Sequence, residues 1–166
     1  MKKIILIVGP NGVGKSTTSE ILLSMLPNSA YIDSDCCRAI NPFPLTEETK
    51  IAVIQNIYCM FHNYLLCNDI ETIIFPYGFH GERKEIWEQV LHKLKADDII
   101  FEICPILLKC SWEENIRRAK QDNRDSERIE RGMKNTFSFY DSCSYPTINT
   151  TNLDAEEVAE KILKMI

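Results

Sequence analysis

Nine residues near the start of the chain, Gly9-Pro10-Asn11-Gly12-Val13-Gly14-Lys15-Ser16-Thr17, restrict its possible folds more than anything else in the sequence. They fit the pattern G-x-x-x-x-G-K-[ST], which requires a strand before it and a helix after it. Ile4 to Val8 is a continuous apolar run, as expected for a strand buried on both faces of a parallel sheet. Ser19 to Leu26 carries Ile21, Leu22, Met25 and Leu26 at helical spacing. Strand, glycine loop and helix in that order bring backbone N–H groups and the positive end of a helix dipole to one point, which suits an anion. The expected phosphate cradle is therefore Gly9, Asn11, Gly12, Val13, Gly14, Lys15, Ser16 and Thr17. Lys15 is directed at the β- and γ-phosphates of a nucleotide, and the Ser16 hydroxyl is placed to ligate Mg²⁺.

The remaining chain alternates strands and helices. Short strands are expected at Ala30–Ile32 and Thr147–Asn149, and longer ones at Glu71–Phe75 and Ile99–Leu108, where Pro105 should mark a bulge or bend. Thr46 caps a helix running to about Cys67, with Ile51, Ile54, Tyr58, Phe61 and Leu65 inward. Further helices are expected over 81–94, from Ser111 to about Lys120, up to about Tyr140, and after the cap Asp154. Asn41 to Pro44 reads as a loop. This order calls for one α/β domain over 1–166: a three-layer α/β/α fold with a five-stranded parallel sheet and helices on both faces. Ligands then lie at the carboxyl ends of the strands.

With a net charge of −5, broad binding to extended nucleic acid is disfavoured, though a short oligonucleotide is left open. The seven cysteines form no C-x-x-C pair, and most sit in apolar stretches as small hydrophobes. No apolar run is long enough for a bilayer, and the first strand begins too early for a signal peptide. The cytoplasm is the expected compartment, with no membrane partner.

The reaction has to be read beyond the loop. There is no N-K-x-D tetrad for guanine, and the third strand ends in Phe75-Pro76 rather than in a metal-binding Asp. Asp33 and Asp35 follow the second strand, alternating so that both point to one face. One carboxylate there can take a proton from an attacking hydroxyl while the other serves Mg²⁺ through water. Arg38 is within reach of the same place and suits an anionic acceptor. His80, in the loop after the third strand, is a candidate hydrogen-bonding partner for the acceptor.

These residues resemble the small P-loop kinases, such as shikimate kinase, gluconate kinase, chloramphenicol phosphotransferase and the 5′-kinase domain of polynucleotide kinase. Tyr31-Ile32-Asp33-Ser34-Asp35 looks like the D-x-D of the second strand in shikimate kinases, and Asp35-x-x-Arg38 is similar to polynucleotide kinases. The resemblance implies the P-loop NTPase fold with a short lid over about 117–131, ATP and Mg²⁺ as cofactors, and a small-molecule or nucleotide hydroxyl as acceptor. It makes Asp35 the general base, with Asp33, Asp35 and Arg38 on the substrate side and Ser16 and Asp33 at the metal, while His80 joins the substrate side from its loop position alone. Arg117, Arg118 and Arg124 look like lid arginines, of which Arg118 and Arg124 join Lys15 and Asp35 as the expected catalytic set. Asn149 stands where these kinases often have Asp, near the adenine. Pro76-Tyr77-Gly78-Phe79-His80-Gly81 stands where shikimate kinases carry a glycine triplet, which argues against shikimate itself.

Overall fold

Five parallel strands form one sheet in the order β2-β3-β1-β4-β5. They are β1 (Lys2–Val8), β2 (Ser29–Tyr31), β3 (Thr72–Tyr77), β4 (Phe101–Lys109) and β5 (Thr147–Asn149). The structure, a computed structural model, describes residues 1–41, 46–121 and 136–166. Among them run five α-helices: α1 (Lys15–Met25), α2 (Glu47–Leu66), α3 (Arg83–Ala96), α4 (Trp112–Gln121) and α5 (Ala155–Leu163). The expected loop through Pro42–Pro44, Arg124 and most of the expected lid lie outside the described residues, as does the helix expected before the 3-10 turn Ser138–Tyr140.

The two faces of the sheet follow from the side-chain period of two in β1. Ile4, Leu6 and Val8 join Phe75, Tyr77 and residues of α2 and α3 in one core, including Phe61, Trp87 and Val90. Ile5 and Ile7 point the other way, into a second core with Leu22 of α1 and Val158 and Ile162 of α5. An apolar run with no alternation is thus buried on both sides, and β1 sits at the centre of the sheet.

Helix ends follow local chemistry. Thr46 and Thr49 form a reciprocal capping box at the start of α2, and Asp154 and Glu157 do the same for α5. Ser111 Oγ accepts from the Glu114 N–H at the start of α4. Ile51 departs from expectation: it is 67% exposed. The inward stripe of α2 is Val53, Ile54, Ile57, Phe61 and Leu65, displaced around the helix from Ile51.

Both strand prolines also depart from expectation. β3 continues through Pro76 to Tyr77, and β4 passes Pro105 with unbroken register against β1. Each proline lies where one flanking strand is absent, since β2 ends opposite Ile74 and β5 begins opposite Leu107. A missing N–H costs little at such an edge, so neither bulge nor strand end is required.

Candidate active site

The loops at the carboxyl ends of β1 and β3, the turn after β2, one side of α4 from Asn115 to Gln121 and the start of α5 enclose a cleft of about 620 Å³. Its floor is the glycine loop. Gly14 caps α1 at φ 99, a left-handed conformation that lets the chain enter the helix directly from the loop. Gly9 is at φ 149, and a Cβ there would collide with the carbonyl oxygen of Leu108 on the neighbouring strand. Gly9 therefore shapes the loop from below, while Asn11 to Thr17 line the cleft. Lys15 Nζ donates to the carbonyl oxygens of Gly9 and Pro10, each at 2.9 Å, which holds the ammonium close over the loop.

Helix α4 buttresses this loop in a way the motif does not announce. Asn115 is fully buried and donates through Nδ2 to the Asn11 carbonyl at 3.0 Å. Arg118 donates to the Val13 carbonyl at 3.1 Å, to Thr150 Oγ1 at 3.1 Å and to the Thr150 carbonyl at 2.7 Å. It thus ties the loop to the segment after β5. Arg117 and Arg118 both belong to α4 rather than to an irregular cover, and both bond Glu114. Arg118 lines the cleft from this helix, with its donors engaged by carbonyls, a hydroxyl and a carboxylate.

Hydrogen bonds from Arg117, then Arg118, hold the Glu114 carboxyl down at about 2, against an ordinary 4.5. The stabilisation from this group is complete above 4.5 and is lost as pH falls toward about 2. Glu114→Gln is therefore expected to lower stability to urea at pH 7, and the gap from wild type should shrink at pH 3. A gap that stays constant with pH would contradict this account.

On the other side of the cleft the chain leaves β2 at Tyr31 and turns. The Asp33 and Asp35 side chains do not alternate along a strand as expected, because Asp35 has helical backbone angles (φ −74, ψ −34) and opens the 3-10 turn Cys36–Arg38. Both nevertheless line the cleft. Asp33 Oδ1 accepts from the Asp35 N–H at 2.8 Å and Oδ2 from Cys36 Sγ at 3.3 Å, so Asp33 builds the turn. Asp35 is exposed, and its Oδ1 accepts from Arg38 Nε and Nη2, both at 3.0 Å. The Tyr31 phenol lies near Ser16 at the start of α1. Burial first, then Asp33 and Glu20, push the phenol up to about 12, while the Ser16 hydroxyl acts in the opposite sense.

Beyond β3, Gly78 and Arg83 line the cleft, and His80 packs behind them. Burial, then the charges of Arg83, Lys15 and Arg38, hold His80 down at about 4, so it is neutral at pH 7. Its Nδ1 is buried without a hydrogen-bond partner among the described residues. The expected direct lining role for His80 is therefore displaced onto Gly78 and Arg83. Asn149 also lies off the cleft: its Oδ1 accepts from the N–H and hydroxyl of Thr151, closing the turn after β5. Thr150, Leu153, Ala155 and Val158 form the wall there instead.

Tyr140 stands between the two halves. Its buried hydroxyl accepts from the Phe79 N–H at 2.8 Å, and the backbone of Gly9 lies close enough to the same oxygen to favour its ionised form. The loop after β3 is thereby tied to Tyr140, with the loop after β1 beside it. For magnesium, the available donors are the exposed Ser16 hydroxyl and nearby carboxylates. No group of three or more His, Cys, Asp or Glu able to hold a metal ion occurs among the described residues. That set suits Mg²⁺ arriving with nucleotide phosphates, which supply most of its oxygens.

No family model matches this sequence, and no curated protein matches it. Solved structures do. The tunicamycin resistance protein of Deinococcus radiodurans aligns with a TM-score of 0.64 at 17% identity, covering 99% of this chain and 95% of that one. A gluconokinase from Sinorhizobium meliloti aligns at 0.64 and 12% identity, covering 98% and 90%. A shikimate kinase from Acinetobacter baumannii in complex with shikimate aligns at 0.62 and 18% identity, covering 99% and 92%. These likenesses, each at 18% identity or lower, show that the chain shares the fold of those proteins. The expected three-layer P-loop architecture is thus present, from the first strand to the last helix. No helix among the described residues is long and apolar enough to cross a membrane.

Proposed function

We propose that the chain is an ATP- and Mg²⁺-dependent kinase that moves the γ-phosphate of ATP onto a hydroxyl of a small molecule or nucleotide. The observation that carries this reading is that Lys15 and the bonded pair Asp35–Arg38 line one and the same cleft. A phosphate loop alone suits any nucleotide-binding protein; an exposed carboxylate in the same cleft suits group transfer.

ATP supplies the phosphoryl group, and Mg²⁺ held through Ser16 neutralises charge on its oxygens. Loop N–H groups and Lys15 bind the phosphates, while the Thr150–Val158 wall takes the base. Asp33, committed to its turn, reaches the metal only through water. Asp35 takes the proton of the acceptor hydroxyl as that oxygen bonds to the γ-phosphorus and the bond to the departing ADP oxygen breaks. Arg124 remains a proposed lid arginine, and the cell interior the proposed place of work.

A second reading is 5′-phosphorylation of a nucleoside or short oligonucleotide, supported by the Asp35–Arg38 bond at 3.0 Å in the D-x-x-R spacing. Incubation with γ-labelled ATP and separate pools of hydroxyl metabolites, nucleosides and oligonucleotides tests both. Label in the metabolite or nucleoside pool supports the main reading, and label on oligonucleotides the second. ATP binding with no labelled acceptor in any pool would instead indicate a nucleotide-binding regulator or slow ATPase.

A further inference from the structure

Arg83 stands apart from the other arginines described. Arg38 holds Asp35, and Arg117 and Arg118 hold Glu114. Arg83 has no carboxylate or carbonyl partner for its guanidinium among the described residues, although it is half-buried and lines the cleft. The neighbouring carboxylate of Glu85 is taken by Lys50. Burial and the positive charge of Arg38 both disfavour its cationic form. The two arginines therefore share one region of the cleft with the exposed carboxylate of Asp35, which hydrogen-bonds Arg38 and acts on Arg83 only through its charge.

The backbone keeps this arrangement in place. Arg83 is the first residue of α3, and its carbonyl accepts from the Tyr77 hydroxyl at 2.9 Å, fastening the helix start to the end of β3. Gly78 leaves the space next to it open. A Cβ on Gly78 would lie 3.2 Å from Arg83 Nη1, 3.0 Å from His80 Nδ1 and 2.8 Å from His80 Cε1. A cation and an unpartnered, neutral ring nitrogen thus converge beside a position without a side chain. A half-buried guanidinium without a hydrogen-bonded counter-charge is costly, and a fork of N–H donors matches the two oxygens of an oxyanion.

We propose that Arg83, with Arg38, forms an oxyanion-binding subsite in the acceptor half of the cleft, so that the alcohol phosphorylated here carries a phosphate or carboxylate group. The subsite deepens the kinase reading and rests on it for the word acceptor. Because Arg38 also bonds Asp35, the anionic group and the reacting hydroxyl belong to one compact molecule. Arg83 then sets specificity: neutral alcohols of the same size leave its charge uncompensated. Gly78 is part of the device, since any side chain there displaces Arg83 or His80.

The experiment is calorimetric titration of orthophosphate, and separately of acetate, into protein saturated with AMP-PNP and Mg²⁺, so that the glycine loop is occupied. At least one anion should bind wild type ~10-fold or more tightly than Arg83→Gln, with AMP-PNP affinity unchanged. Arg83→Lys, which keeps the charge, should recover part of the loss, and melting temperatures report that both variants are folded. Phosphate responding alone identifies a phosphorylated acceptor, and acetate alone a carboxylate. Equal binding of both anions by wild type and folded Arg83→Gln would overturn the subsite. In transfer assays on matched neutral and anionic alcohols, equal kcat/KM for the two would overturn the subsite and leave the kinase reading standing. Arg83-dependent anion binding without transfer to any alcohol would keep the subsite and overturn the kinase reading.

Discussion

Asp35→Asn is expected to leave ATP affinity within about twofold of wild type while lowering phosphoryl transfer by ~10²–10⁴-fold, the range for removing a general base. Two consequences of the substitution have to be separated. One is loss of the proton acceptor; the other is loss of the charge that holds Arg38. The ion pair is a weak contributor to stability, because the Asp35 side chain is 73% exposed and pairs of that kind contribute about 0–1 kcal/mol. Unfolding is therefore not expected to confuse the result. Release of Arg38 would alter acceptor KM, whereas loss of the base lowers kcat, and steady-state kinetics with a found acceptor separates the two.

Asp33→Asn serves as the internal control. The Asp33 carboxylate accepts from the Asp35 N–H and from Cys36 Sγ, and an amide oxygen can still accept the first of these. Its effect on turnover should be much smaller than that of Asp35→Asn. Wild-type turnover in Asp35→Asn, or a larger loss in Asp33→Asn, would remove Asp35 from the role of base.

The donor half of the cleft was legible because its chemistry is contiguous. Strand, loop, lysine, hydroxyl and helix follow one another in the chain, and each has a backbone reason to be there. Helix caps were legible for the same local reason, as Thr46 and Asp154 illustrate. What escaped is assembled by crossovers. Asn115 reads as one more polar residue in a charged helix, yet it is buried and bonded to the loop more than one hundred positions away. Arg83 reads as a surface charge at the start of an amphipathic helix, and only the packing of α3 against β3 brings it over Gly78.

The Asp33–Asp35 pair was found but misoriented. Alternation applies while a strand continues, and β2 stops at Tyr31 because the Asp33 side chain captures the backbone of the next turn. The strand prolines illustrate a related limit. Whether Pro76 or Pro105 disturbs its strand depends on how far the neighbouring strand extends, which no local window contains.

Lys15→Ala is expected to lower kcat by ~10²–10³-fold, the loss associated with removing one group that stabilises transition-state charge. Lys15 also has a structural part, since its Nζ bonds the carbonyls of Gly9 and Pro10. The question is which part dominates. The loop has other supports: Gly14 at the helix start, Asn115 on the Asn11 carbonyl and Arg118 on the Val13 carbonyl. Loss of the lysine should therefore leave the loop formed, and the charge should account for most of the effect. Lys15→Gln decides it, because the amide can still donate to a loop carbonyl but carries no charge. Its kcat should fall nearly as far as that of the alanine variant, while its melting temperature stays near wild type. Recovery of turnover in Lys15→Gln would mean that Lys15 acts by holding the loop rather than by meeting the charge of the transferring phosphoryl group.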